Sequence, residues 1–171
     1  RAQAAADLLE VVSAPIGLTV FVEDAPGGTG SAIGDRSLVA GDSLVAYAVF
    51  RDDDGAFVSD AAVTWSVDGG IGTVAAGPST TATFDATTVG SGRVRAGHAT
   101  ATDGATGVLT VEPGAAAMVL VEDAADGSGT AVGNLTVTTD DTVAMHAVGR
   151  DALGNFVGAV DVTWSVDGGI G

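Results

Sequence analysis

Apolar and polar residues alternate one by one in several short stretches of this chain. LTVFVE (18–23) has the pattern of a strand with one face in a core. SLVAGDSLVAYAVFRD then predicts a short strand, a turn at Ala40-Gly41-Asp42 and a long strand over 43–51. DDDG (52–55) predicts a turn. AAVTWSV (61–67) alternates again, with Val63, Trp65 and Val67 on one face, and DGG (68–70) predicts the next turn. STTATFDA (79–86), GRVRAGHA (92–99) and TGVLTVE (106–112) supply three more strands. About seven strands with turn signals every 8–12 residues predict an all-β fold, an immunoglobulin-like β-sandwich. Helical periodicity is hinted at only in AQAAADLLE, at the start of the sequence.

The pattern recurs. VTWSVDGGIG fills 63–72 and again 162–171. Residues 17–72 align with 116–171 without a gap, and 27 of the 56 pairs are identical, so the expected fold unit is about 99 residues long. DLLEVVSAP (7–15) resembles GVLTVEPGA (107–115), the stretch before the second copy. The expected organisation is the last strand of a preceding unit over 1–15, a complete sandwich over 16–114, and the first half of a further unit over 115–171. Residues 115–171 alone should expose an edge and half a core. Something is expected to complete them: the continuing polypeptide, or strands donated by a neighbouring copy.

The run AGDSLVAYAVFRDDDGAFVSDAAVTWSVDGGIG carries a family resemblance. It is similar to the bacterial immunoglobulin-like (Big) repeats of surface adhesins and large exported proteins. The matching features are the turn Gly41-Asp42, the turn Asp52 to Gly55, and the strand with Val63 to Ser66. The second copy keeps Asp151 to Gly154 and Val162 to Ser165, but has Asp140-Asp141 in place of Gly-Asp. The resemblance implies an extracellular or cell-surface protein, because such repeats serve mostly as stalks and spacers.

Composition narrows the partners. The net charge is −16, from 22 acidic residues against six basic ones, all arginine. A field this negative disfavours nucleic acid and anionic membrane, and it attracts cations. Cysteine is absent, which excludes disulfides, thiolate metal sites and cysteine nucleophiles. No apolar run approaches the roughly 18 residues that span a bilayer. RAQAAADLLEVV carries no export leader, so an export signal is expected upstream of it.

Candidate chemistry is sparse. Asp52-Asp53-Asp54-Gly55 is dense enough in carboxylates for a calcium loop, but the second copy, DALGN, keeps one of them, and a hairpin turn is the simpler reading. Glu23-Asp24 and Glu122-Asp123 follow the first strand of each copy, where calcium could stiffen a junction; solvated strand ends are the simpler reading. His98 and His146 fall at unrelated positions, without a second ligand nearby. GGTGSAIG (27–34) lacks the lysine of a phosphate-binding loop, and no G-x-S-x-G nucleophile motif occurs. Asn134-Leu135-Thr136 is a glycosylation sequon. Tyr47, Phe50 and Phe57 are too scattered for a sugar-binding platform. VEPGAAAMV (111–119) is a short junction with Pro113, which predicts semi-rigid neighbours.

The reading is a non-catalytic stalk, adhesin or fibre segment with no catalytic, cofactor or metal residues assigned. Its expected partners are neighbouring repeats, with cell-surface or glycan ligands beyond them. One alternative is the subunit of a filament of identical copies held by strand complementation. Another is an accessory or carbohydrate-binding module of a secreted enzyme.

Overall fold

A computed structural model describes residues 17–168. The expected strand over 7–15, the helical hint in AQAAADLLE and the last three residues lie outside the described residues. Those described are all-β, with no helix among them. Twelve strands lie between residues 19 and 112. They are β1 (Thr19–Glu23), β2 (Arg36–Val39), β3 (Ser43–Arg51), β4 (Phe57–Asp60), β5 (Val63–Val67), β6 (Gly72–Val74), β7 (Pro78–Ser79), β8 (Thr81–Ala86), β9 (Gly90–Gly92), β10 (Val94–Gly97), β11 (Gly104–Ala105) and β12 (Leu109–Glu112). Three more follow: β13 (Met118–Glu122), β14 (His146–Arg150) and β15 (Phe156–Ala159).

The expectation of about seven strands falls short of the twelve over 19–112. The additional ones give no alternation to read. β4 is exposed at every position, and β6, β7, β9 and β11 are two or three residues long. They form because a neighbour offers them a ladder, not because of their own pattern.

One sheet runs β1-β3-β8-β6, with β4 also pairing to the end of β3; a second runs β11-β10-β5-β7. A third runs β2-β12-β9, in which β2 and β12 are parallel. The inward residues of all three meet in one core. Val20, Val22, Leu44, Ala46, Ala48, Ala82 and Phe84 come from the first sheet. Val63, Trp65, Val94 and Ala96 come from the second, and Leu38, Leu109 and Val111 from the third. This arrangement is consistent with a β-sandwich. Trp65 is buried to 2% exposure, and its indole N–H donates to the Ser79 carbonyl at 3.1 Å. The turn after it needs glycine: Gly69 and Gly70 both have positive φ, at 76° and 64°.

Residues after 117 form a separate sheet, β13-β14-β15. Its register repeats that of the first copy. Met118 to Glu122 pair with Arg150 to His146, as Thr19 to Glu23 pair with Arg51 to Tyr47. The irregularity between Phe50 and Arg51 returns between Gly149 and Arg150.

The second copy departs from expectation at VTWSV. Residues 162–166 are not a strand, and Trp164 is 53% exposed. The cause is the missing neighbour. In the first copy this strand is paired on one side by β10 and on the other by β7. No described residues take those places beside 162–166. Five identical residues are thus a strand where they have partners and an irregular segment where they do not.

Candidate functional site

Glu23 and the backbone of the DDDG turn, separate candidates in the sequence, meet at one arginine. Arg51, at the end of β3, donates through Nε to Glu23 Oε1 at 2.7 Å. Its Nη1 donates to the Gly55 carbonyl at 2.9 Å and its Nη2 to the Gly28 carbonyl at 3.4 Å. One guanidinium therefore ties the end of β1, the Gly-rich loop and the DDDG turn together. The second copy repeats the device. Arg150 donates to Glu122 Oε1 at 2.5 Å through Nε, to Glu122 Oε2 at 2.8 Å through Nη2, and to the carbonyls of Gly154 and Gly127. Glu23 and Glu122 are each 1% exposed, so these are buried pairs and not solvated strand ends, which corrects that expectation. The hydrogen bond from Arg150 holds Glu122 below the usual carboxylate range against the opposing effect of burial. Arg51 meets one oxygen of Glu23, and Oε2 has no hydrogen-bond partner.

The other acidic candidates also have backbone duties. Asp52 Oδ1 accepts from the N–H groups of Asp54 and Ala56, closing the turn. Asp24 Oδ1 accepts from Ser31 N–H, and Asp123 Oδ1 from Thr130 N–H. Asp53 Oδ2 accepts from Gly17 N–H at 3.3 Å, and Asp54 is exposed. No cluster of three potential metal-ligating side chains occurs among the described residues. Asp141 Oδ2 accepts from Thr138 N–H as Asp42 Oδ2 does from Val39 N–H, so the Asp140-Asp141 variant makes the same turn.

His98 Nδ1 accepts from Ala101 N–H at 3.2 Å, and its ring meets Phe50 edge-on. His146 opens β14. Phe57 lies over Gly28 and Phe156 over Gly127, so close that a Cβ on either glycine would collide with the ring. Phe50 thus packs within the chain, Phe57 covers Gly28 with 39% of its surface still exposed, and Tyr47 lies on the same strand as Phe50. Asn134 is exposed, with the rest of its sequon.

The feature that sequence reasoning missed is the contact between the two copies. Asp151 is 2% exposed. Its Oδ1 accepts from the N–H groups of Leu153 and Asn155, the same turn that Asp52 makes. Its Oδ2 accepts from Gly114 N–H at 3.0 Å and from Asn155 Nδ2 at 2.9 Å. Asn155 then reaches back to the β8–β9 loop: Nδ2 donates to the Thr87 carbonyl at 3.0 Å, and Oδ1 accepts from Val89 N–H at 3.2 Å. Burial pushes the Asp151 carboxyl up, but the Asn155 side chain and the three backbone N–H donors together hold it below its ordinary value. The first copy has Ala56 where the second has Asn155, and Pro15, with no N–H, where the second has Gly114. Only the difference between Asn155 and Ala56 could have signalled the contact.

No family model and no curated protein matches this chain. Among solved structures it is similar to domains 4–9 of the surface layer protein SbsC, with a TM-score of 0.40 and 20% identity. That match covers 83% of this chain and 21% of the other.

Proposed function

We propose that this chain is a segment of an extracellular or cell-surface stalk or fibre, built from tandem immunoglobulin-like units of about 99 residues similar to Big repeats. The observation that carries the reading is the junction. The Asp151 turn and Asn155 bond directly to Gly114, Thr87 and Val89, so successive units are held at a fixed angle and not strung on a tether. The duplicated buried arginine pairs support a repeated unit, and the acidic surface keeps a long array soluble and self-repelling. Asp24, Asp52, Asp123 and Asp151 accept from backbone N–H groups in loops and turns, and His98 accepts from Ala101 N–H. That favours a spacer over the accessory-module and carbohydrate-binding readings. Adhesion targets and glycan ligands would belong to other parts of such an array.

A spacer must bear load. β12 pairs in parallel with β2 from Leu109↔Arg36 to Glu112↔Val39. Pulling β12 along its axis against β2 strains these bonds together rather than one after another. Single-molecule pulling between residues 17 and 117 tests the reading. The expected record is one force peak and a gain in contour length of roughly 300 Å, the extended length of such a unit less its folded span. Extension without a peak would overturn it.

A further inference from the structure

Basic residues are few and unevenly placed. Five arginines lie among the described residues, and Arg51 and Arg150 are held in the buried pairs with Glu23 and Glu122. The other three, Arg36, Arg93 and Arg95, stand together. Two neighbouring hollows share Val108; Arg36 borders one, and Arg93 and Arg95 border the other. Arg93 is steadied there by donating from Nη1 to the Thr106 carbonyl at 2.9 Å. Arg36 is exposed, and the second copy has Leu135 in its place, so the repeat pattern itself does not demand the charge. Beside the arginines, the third sheet carries hydroxyls. Ser37 and Ser91 pair in register with Thr110 from either side, and Ser91 Oγ lies 3.3 Å from Thr110 Oγ1. Two carboxylates border the same face, and each has a donor within the chain. Asp35 Oδ1 accepts from Val108 N–H at 2.7 Å, and Asp68 pairs with Arg95. Three arginines against two aspartates leave this face net positive on a chain whose net charge is −16.

We infer that this face docks the acidic surface of a second copy, side by side with the first. Copies of like charge repel wherever two acidic faces meet, so the arginine face offers the orientation in which attraction replaces repulsion. The tandem neighbour leaves it open. Thr87, Val89 and Gly114 hold the junction, and none of them lines either hollow. Guanidinium groups and hydroxyls both donate hydrogen bonds, which suits carboxylates. The 22 acidic residues of another copy supply them. A carboxylated polysaccharide offers the same groups, but neither hollow is lined by an aromatic ring on which a sugar could stack. The contact adds a lateral partner to the stalk reading without resting on it, since a stalk standing alone would still give the force peak.

Sedimentation equilibrium of the full chain, over a concentration series at low and at high salt, tests this. The expected result is self-association that weakens as salt is added, because screening acts on the contact between arginines and carboxylates. Arg36→Glu should lower the association constant by roughly tenfold, as one attraction is lost and one repulsion gained. A control chain with Thr73→Glu and Thr83→Glu lowers the net charge by the same two units at exposed sites outside the face. It should keep the association constant within about twofold. Arg36→Leu, which installs the residue found in the second copy, guards against misfolding and should weaken association in the same direction. The inference is overturned if the chain stays monomeric at every concentration, or if association strengthens with salt. Equal weakening by Arg36→Glu and the control chain also overturns it. So does a monomeric chain that binds polygalacturonate through Arg36, since a polysaccharide would then be the occupant.

Discussion

Replacing Trp65 with alanine is expected to destabilise the core by about 3–5 kcal/mol, the range for removing a large aromatic from close packing. Replacing Trp164 with alanine is expected to change stability by no more than about 0.5 kcal/mol, as at exposed sites. Urea titrations of the two variants check this, and equal losses would contradict it. Arg51→Met leaves Glu23 buried without its cation, so the unfolding midpoint should fall, and further than for Arg95→Met, whose partner Asp68 is only half-buried. Asp151 adds a pH dependence. Its carboxyl is held below the ordinary value of 3.8, so its contribution is full above that value and is lost as pH falls through the lowered one. An acid titration of the junction should therefore show loosening only below about pH 4. Little of this was legible residue by residue. The acidic pairs read as strand ends because their cation, Arg51 or Arg150, lies 28 residues further along the chain.

Strands with clean alternation were legible: β1, β3, β5 and β8 fall where their patterns put them. The short ones were not, because two or three residues carry no period. The recurrence of VTWSV misled for a deeper reason. Alternation marks which face a segment would bury if it were paired, and pairing is supplied from elsewhere. Amide hydrogen exchange can compare the two copies within one molecule. The β5 amides that bond to β10 and β7 should be protected strongly, and those of residues 162–166 should exchange close to the rate of an unstructured peptide. Matching protection in the two copies would show that the second one has found a partner.

At the scale of the whole molecule, the offset of 99 residues was legible from identity alone, and the junction was not. VEPGAAAMV shows a short connection. The bonds that fix the angle come from Asn155 and Asp151, far along the sequence, and from a loop at Thr87–Val89 whose position only the fold supplies. Asn155→Ala should leave the unfolding midpoint of the first unit unchanged while freeing the angle between the units. The absence of cysteine makes this directly measurable, since two introduced cysteines carry the only spin labels. With labels at Thr73 and Val157, on either side of the junction, the measurement is the distribution of distances between them. One narrow peak that broadens in the Asn155→Ala chain is the result expected of a stiff array. A broad distribution in the unaltered chain would mean tethered beads, and would contradict the spacer account.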